Sequence, residues 1–196
     1  MNALPSSAVV IGASVGAVQA LSIILPALPE NYPLPVFVAV HVPPDKRSAL
    51  ADLFAARCAI RVKEAEDKET ICPGTVYFAP ADYHLLVEQD FTLSLSSDEP
   101  VLFSRPAIDV LFESAADAYG DGLTGIILTG ASADGAHGLQ AVHAAGGFPI
   151  VQIPDTAEGP AMPRAALAAC PAARSFTLEE ISFLLLSTSQ PPATAR

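Results

Sequence analysis

A chain of 196 residues with 51% hydrophobic and 16% charged residues has material for one large core and too little for two. Its formal net charge of −11 at pH 7 works against nucleic acid and anionic membrane surfaces, both of which select basic patches. No apolar run reaches membrane-spanning length, and the N-terminus lacks the basic start and apolar core of a signal peptide, so membrane insertion is not expected and a cytoplasmic location is the default.

In chain order, Ala8-Val9-Val10-Ile11 reads as a buried strand and residues 17–25 as a helix. Between them, Gly12-Ala13-Ser14-Val15-Gly16 fits the G-x-S-x-G elbow, in which a tight turn lifts a serine hydroxyl above the carboxyl end of a sheet. Residues 35–40 form a second strand ending at His41, followed by a turn at Val42-Pro43-Pro44-Asp45 and a helix over 48–58. Short strands are expected at 60–63 and 75–79, and a β-hairpin at 84–88 and 91–95 around Gln89-Asp90. Pro106 suits the first turn of a helix over 107–119 that Gly120 closes. A buried strand at 125–129, a helix at 135–145, a strand at 148–152, helices at 163–170 and 178–186, and a tail at 187–196 complete the chain.

Strands alternating with helices imply right-handed crossovers and a doubly wound, mostly parallel α/β sheet, with the hairpin as an antiparallel addition. The high apolar and low charged content agrees with strands buried on both faces. One domain over 1–196 is expected, with no internal repeat or linker.

In an open parallel sheet the carboxyl ends of all strands lie on one edge, where ligands bind. Ser14, His41 and Asp134 fall on that edge, and a serine, a histidine and an aspartate in one crevice suggest acyl transfer. The chain order Ser, His, Asp differs from the α/β-hydrolase order. Each residue also has a structural explanation. Ser14 suits a turn or cap, His41 a core histidine, and Asp134 an N-cap for the helix that begins at Gly135. His137, three residues after Asp134, is the best rival base; His84 is expected on the surface or in a lid, and His143 elsewhere on its helix. Cys58, Cys72 and Cys170 suit neither a zinc site nor a disulfide framework and read as buried free thiols. A dinucleotide fingerprint would need glycines where Ser14 and Ala17 stand and an acid where His41 stands, so nucleotide binding ranks below hydrolysis.

The chain resembles the catalytic domain of the chemotaxis protein-glutamate methylesterases (CheB-type). The resemblance runs from Val9-Val10-Ile11-Gly12-Ala13-Ser14 through Val40-His41-Val42-Pro43, Val62-Lys63-Glu64-Ala65-Glu66-Asp67 and Pro73-Gly74-Thr75-Val76-Tyr77-Phe78-Ala79-Pro80. It continues through Arg105-Pro106-Ala107-Ile108-Asp109-Val110-Leu111-Phe112, Ile127-Leu128-Thr129-Gly130, Asp134-Gly135-Ala136 and Met162-Pro163-Arg164-Ala165-Ala166. It implies a three-layer α/β/α domain, a triad of Ser14, His41 and Asp134, and hydrolysis of γ-glutamyl methyl esters on chemoreceptors with release of methanol. Deamidation of particular receptor glutamines often accompanies this, without a diffusible cofactor or metal. Backbone N–H groups of Val15 and Ala131 are the candidate oxyanion donors.

Ser14-Val15-Gly16-Ala17 stands where the family usually has Ser-Thr-Gly-Gly, and Gly130-Ala131-Ser132-Ala133-Asp134-Gly135 replaces its Gly-Met-Gly-x-Asp-Gly loop. Asp45-Lys46-Arg47 replaces a Gly-Phe-Thr-like segment. These departures keep two other readings open: a non-catalytic receptor-binding module, and an esterase for another substrate. Members commonly carry an N-terminal receiver domain, whereas this chain begins almost at its first strand, so either constitutive activity or control by a separate regulatory protein is expected.

Overall fold

In the computed structural model, residues 7–41 and 49–188 are described, and the expected turn at 42–45 lies outside them. Seven strands form one parallel sheet: β1 (Ala8–Ala13), β2 (Val36–Val40), β3 (Arg61–Glu64), β4 (Thr75–Phe78), β7 (Leu123–Ile127), β8 (Phe148–Gln152) and β9 (Arg174–Phe176). Their order is β3-β4-β2-β1-β7-β8-β9, while β5 (His84–Val87) and β6 (Leu93–Ser96) pair as the expected antiparallel hairpin.

Burial on both faces explains the sequence of the central strands. Along β1, Ala8 and Val10 enter one core and Val9, Ile11 and Ala13 the other, so every position is apolar or small. The first core is closed by α3 (Ile108–Tyr119), α4 (Ala136–Ala144), α5 (Ala161–Ala169) and the hairpin, through residues such as Ile108, Leu139, Met162 and Leu85. The second is closed by α1 (Ala17–Ile24), α2 (Leu50–Ala55) and α6 (Leu178–Thr188), through Leu21, Phe54 and Ile181. The architecture is therefore the expected helix–sheet–helix sandwich.

Several boundaries differ from expectation for local reasons. The strand expected at 125–129 begins two residues earlier at Leu123 and ends at Ile127, because Leu128 and Thr129 already belong to the turn framework of the edge. Pro106 precedes α3 rather than opening it: Ala107 is extended at φ −99°, ψ 138°, and the helix begins at Ile108. The short strand β9, half-exposed and three residues long, carries no readable period and was not expected. Helix α6 runs to Thr188, two residues into the segment expected as a tail.

The first turns of α3 and α4 are clamped together. The buried Asp109 carboxylate on α3 accepts from Gly138 N on α4 at 2.7 Å. A Cβ at Gly138 would lie 2.5 Å from Phe112 Cβ and 3.1 Å from Asp109 Cα, so the helices approach through this glycine. Burial pushes the Asp109 carboxyl above its ordinary value, and the nearby Asp134 carboxylate pushes the same way against the Gly138 and Gly135 N–H groups and His137.

Two outcomes follow from this clamp. Gly138→Ala gains about 1 kcal/mol of helix propensity but overpacks against backbone, at a cost of about 1–3 kcal/mol. A net loss in urea melts is expected. For Asp109, the folded state keeps its proton above the unfolded value near 4, so this group's contribution to stability falls as pH rises from there through the raised folded value. Asp109→Asn removes that slope, and wild type should lose stability relative to the variant over the same window in melts at stepped pH.

Candidate active site

The sheet reverses direction of winding at β1, which has β2 on one side and β7 on the other. The crevice outside their carboxyl ends is where an open α/β sheet holds a ligand. Ser14 follows β1, His41 follows β2 and Asp134 lies in the loop after β7, so all three reach that crevice.

The serine sits in a tight turn. Ala17 N donates to Ser14 O at 3.0 Å, and Gly16, the third residue, has φ 80° and ψ 5°, as a type II turn requires. An L side chain at Gly16 would be strained and would also meet Glu158 Cβ at 2.9 Å. Thr129 locks the turn from β7's side. Its carbonyl accepts from Ser14 N at 2.9 Å, and its Oγ1 donates to Val15 O and accepts from Gly159 N, both at 2.8 Å. Its own N–H donates to Oε1 of the buried Gln152 at 2.9 Å. Sequence reasoning missed Thr129 and Gln152 as framework residues, since the bonds that tie them to each other and to the Ser14 turn span 23 or more positions.

Sheet register brings the His41 backbone alongside that of Ser14. Ala13 pairs with Val40, and His41 N donates to Ala13 O at 3.2 Å, so the next position along β2 stands beside the Ser14 backbone. Neighbouring strands run about 5 Å apart. The His41 side chain, 13% exposed, has its Nε2 2.7 Å from Asp134 Oδ2. Because the carboxylate accepts, Nε2 carries the proton and Nδ1 keeps a lone pair for another partner.

Asp134 is completely buried and takes three donors. Besides His41, Ile108 N donates to Oδ2 at 2.7 Å and Asp109 N to Oδ1 at 2.9 Å. These are the first two amides of α3, whose own cap residue Ala107 offers no side-chain bond. The expectation that Asp134 caps its own helix is thus corrected. Gly135 in the left-handed region stands at the start of α4, and the carboxylate instead caps α3, where the positive end of the dipole favours an anion. A charge with no exposed surface is tolerable only when so fully bonded.

The rival bases are elsewhere. His84, expected on the surface, is buried: Nδ1 accepts from Ala107 N and the Nε2–H donates to Glu99 O, both at 3.2 Å. His137 is exposed near Asp109 and Glu113, and His143 is exposed in the last turn of α4, at the far end from Asp134. The thiols are not uniformly buried as expected. Cys170 is buried and Cys58 partly so, burial pushing both thiols up, while Cys72 is exposed. Val15 and Ala131 lie exposed on the rim. The backbone before Ala131 is pinned by Gly130 N to Gly159 O at 2.8 Å and Met162 N to Gly130 O at 3.0 Å.

Comparison with known proteins gives the family and the fold. The family profile described as CheB methylesterase matches residues 9–185. A Leptospira interrogans protein, named provisionally as a protein-glutamate methylesterase/protein-glutamine glutaminase, is 45% identical over 183 residues, covering 93% of this chain and 95% of that protein. Proteins of that name from Archaeoglobus fulgidus and Chromohalobacter salexigens are 39% and 35% identical over 81% and 96% of this chain. The chain spans about half the length of those two, 46% and 54% respectively. The crystal structure of the Thermotoga maritima CheB methylesterase catalytic domain superposes with a TM-score of 0.89 at 33% identity, covering 94% of this chain and all of that one. With a family match across nearly every described element and a solved relative of the same fold, the chain belongs to the CheB methylesterase family.

Proposed function

We propose that the protein is a serine hydrolase that demethylates γ-glutamyl methyl esters on chemoreceptors, releasing methanol, and that also deamidates receptor glutamines. The carrying observation is the 2.7 Å bond between His41 Nε2 and the Asp134 carboxylate, placed by strand register beside the Ser14 turn. The names of the relatives supply the substrate class.

In this reading Ser14 Oγ attacks the ester carbonyl carbon while its proton passes to His41 Nδ1. Asp134 holds the ring in the Nε2–H tautomer and stabilises the imidazolium that forms. N–H groups of Val15 and Ala131 receive the oxyanion, each such donor being worth roughly a hundred- to a thousand-fold in turnover. The bond to methoxide then breaks, and His41 returns the proton to make methanol. Water, deprotonated by His41, attacks the acyl-enzyme and frees the glutamate carboxylate and Ser14. With a primary amide in place of the ester, the leaving group is ammonia. The scheme needs no cofactor or metal. Partners in this reading are the receptor and a protein that regulates the enzyme in trans, in the cytoplasm; among the described residues no helix is long and apolar enough to cross a membrane.

Ser14→Ala should lower demethylation by several orders of magnitude and abolish labelling by a serine-reactive phosphonate, with thermal unfolding unchanged. Full activity in that variant would refute the nucleophile. Asp134→Asn should be doubly impaired. The amide turns a donor toward groups that all donate, so turnover is expected to fall by about four orders of magnitude and stability by about 1–3 kcal/mol. Kinetics and urea melts on the same preparation check both.

A further inference from the structure

Residues 99–107, immediately ahead of α3, carry an unusual projection. Val101 and Ser104 exchange both backbone hydrogen bonds (Val101 N to Ser104 O at 3.2 Å, Ser104 N to Val101 O at 2.9 Å), closing a two-residue hairpin. Its central residues have positive φ, 47° at Leu102 and 64° at Phe103. Two left-handed residues in succession define a turn type that strongly prefers asparagine and glycine, and bulky side chains there are disfavoured. Phe103 is 103% exposed and Leu102 50% exposed, with Val101 exposed beside them and Tyr83 exposed next to Asp82, which Arg105 holds. The turn thus holds two large apolar side chains in a costly backbone and offers them to water.

Both roots of the projection are braced. Arg105 donates through Nη1 to Ser97 O and Asp98 O at 2.9 and 3.0 Å, and through Nε and Nη2 to Asp82 Oδ1 at 3.0 and 2.6 Å. The buried His84 ring spans from Glu99 O to Ala107 N. The next amide, Ile108 N, is one of the donors on Asp134, and the Ile108 side chain packs against Gly12, two residues before Ser14. Five residues of chain bridge at most about 17 Å, so Phe103 lies within that distance of Ile108, whose N–H is bonded to Asp134.

We infer that the Leu102–Phe103 tip is a docking element for the protein substrate: it seats in an apolar recess of the receptor surface beside the esterified glutamyl side chain. This rests on the esterase reading. The substrate class favours it over a lipid surface. A chain of net charge −11 is repelled by anionic lipid and gains nothing from long-range attraction to a glutamate-bearing helix, so affinity must come from short-range apolar contact. Val15 and Val18, close to Ser14 in the chain, are exposed apolar residues as well.

The double variant L102N/F103G installs the residues the turn prefers while deleting both side chains. Its melting temperature should equal or exceed that of wild type. KM for methylated receptor should rise about tenfold, the scale of a lost hot-spot residue, with kcat held. Hydrolysis of p-nitrophenyl acetate should stay within about twofold, since small esters need no docking. Binding is measured separately by adding the same substitutions to Ser14→Ala and titrating a methylated receptor cytoplasmic fragment, where Kd should weaken about tenfold. Unchanged KM and Kd would overturn the proposal. So would loss of binding to anionic or zwitterionic vesicles with receptor affinity intact, which would assign the tip to a membrane. If wild type neither hydrolyses esters nor reacts with the phosphonate, the esterase reading fails, while the fragment titration still decides the docking role.

Discussion

The Asp134 carboxylate is the interaction on which the rest of the site depends. It has no solvent exposure, and folding must replace its lost hydration. Three donors do so: two free amides at the start of α3 and the Nε2–H of His41. The amides need an acceptor because Ala107 provides none, and the anion needs donors because it is buried. Each thereby removes the other's penalty, and the imidazole is oriented as part of the same arrangement. The carboxylate reaches α3 from the loop after β7, so the cap also fixes that helix against the carboxyl edge of the sheet.

A second framework is built on Thr129. Its hydroxyl and backbone tie the Ser14 turn to β7, to Gln152 at the end of β8 and to Gly159 ahead of α5. The Ser14 turn and the His41 imidazole are therefore held by separate networks that meet at β1. Two departures from the usual family pattern, Val15 and Ala17, join the Ser14 turn through backbone atoms alone. Val15 and Ala131 are exposed, Ala17 is buried, and Ser132 is partly exposed with its Oγ accepting from Asp134 N at 3.0 Å. Asp45-Lys46-Arg47 lies outside the described residues.

Much of this was legible before any coordinates. Strands buried on both faces write themselves as unbroken apolar runs, which is why β1, β2 and β8 stand close to where the sequence puts them. The placement of Ser14, His41 and Asp134 on one edge was readable because a parallel sheet puts all its strand ends there, and that argument needs only the order of elements. Asp134's true partner was not readable. Capping rules look for a helix in the residues that follow, and this carboxylate serves amides 26 and 25 positions earlier. His84 was misplaced for a related reason: its two bonds are to backbone atoms at 99 and 107, and no side-chain pattern marks a backbone partner. Helix α3 starts two residues after Pro106 because the amide that opens it is claimed from outside.

The dual duty of Asp134 has a consequence for reading divergent relatives. On the proposed mechanism, a copy of this fold that lost its hydrolytic task would be released from keeping the hydroxyl of Ser14 and the ring of His41, yet the acid would still be needed to hold α3 in place. Foldability alone would preserve it. Persistence of the aspartate in a decayed paralogue therefore records architecture, and only the other two positions report whether chemistry survives.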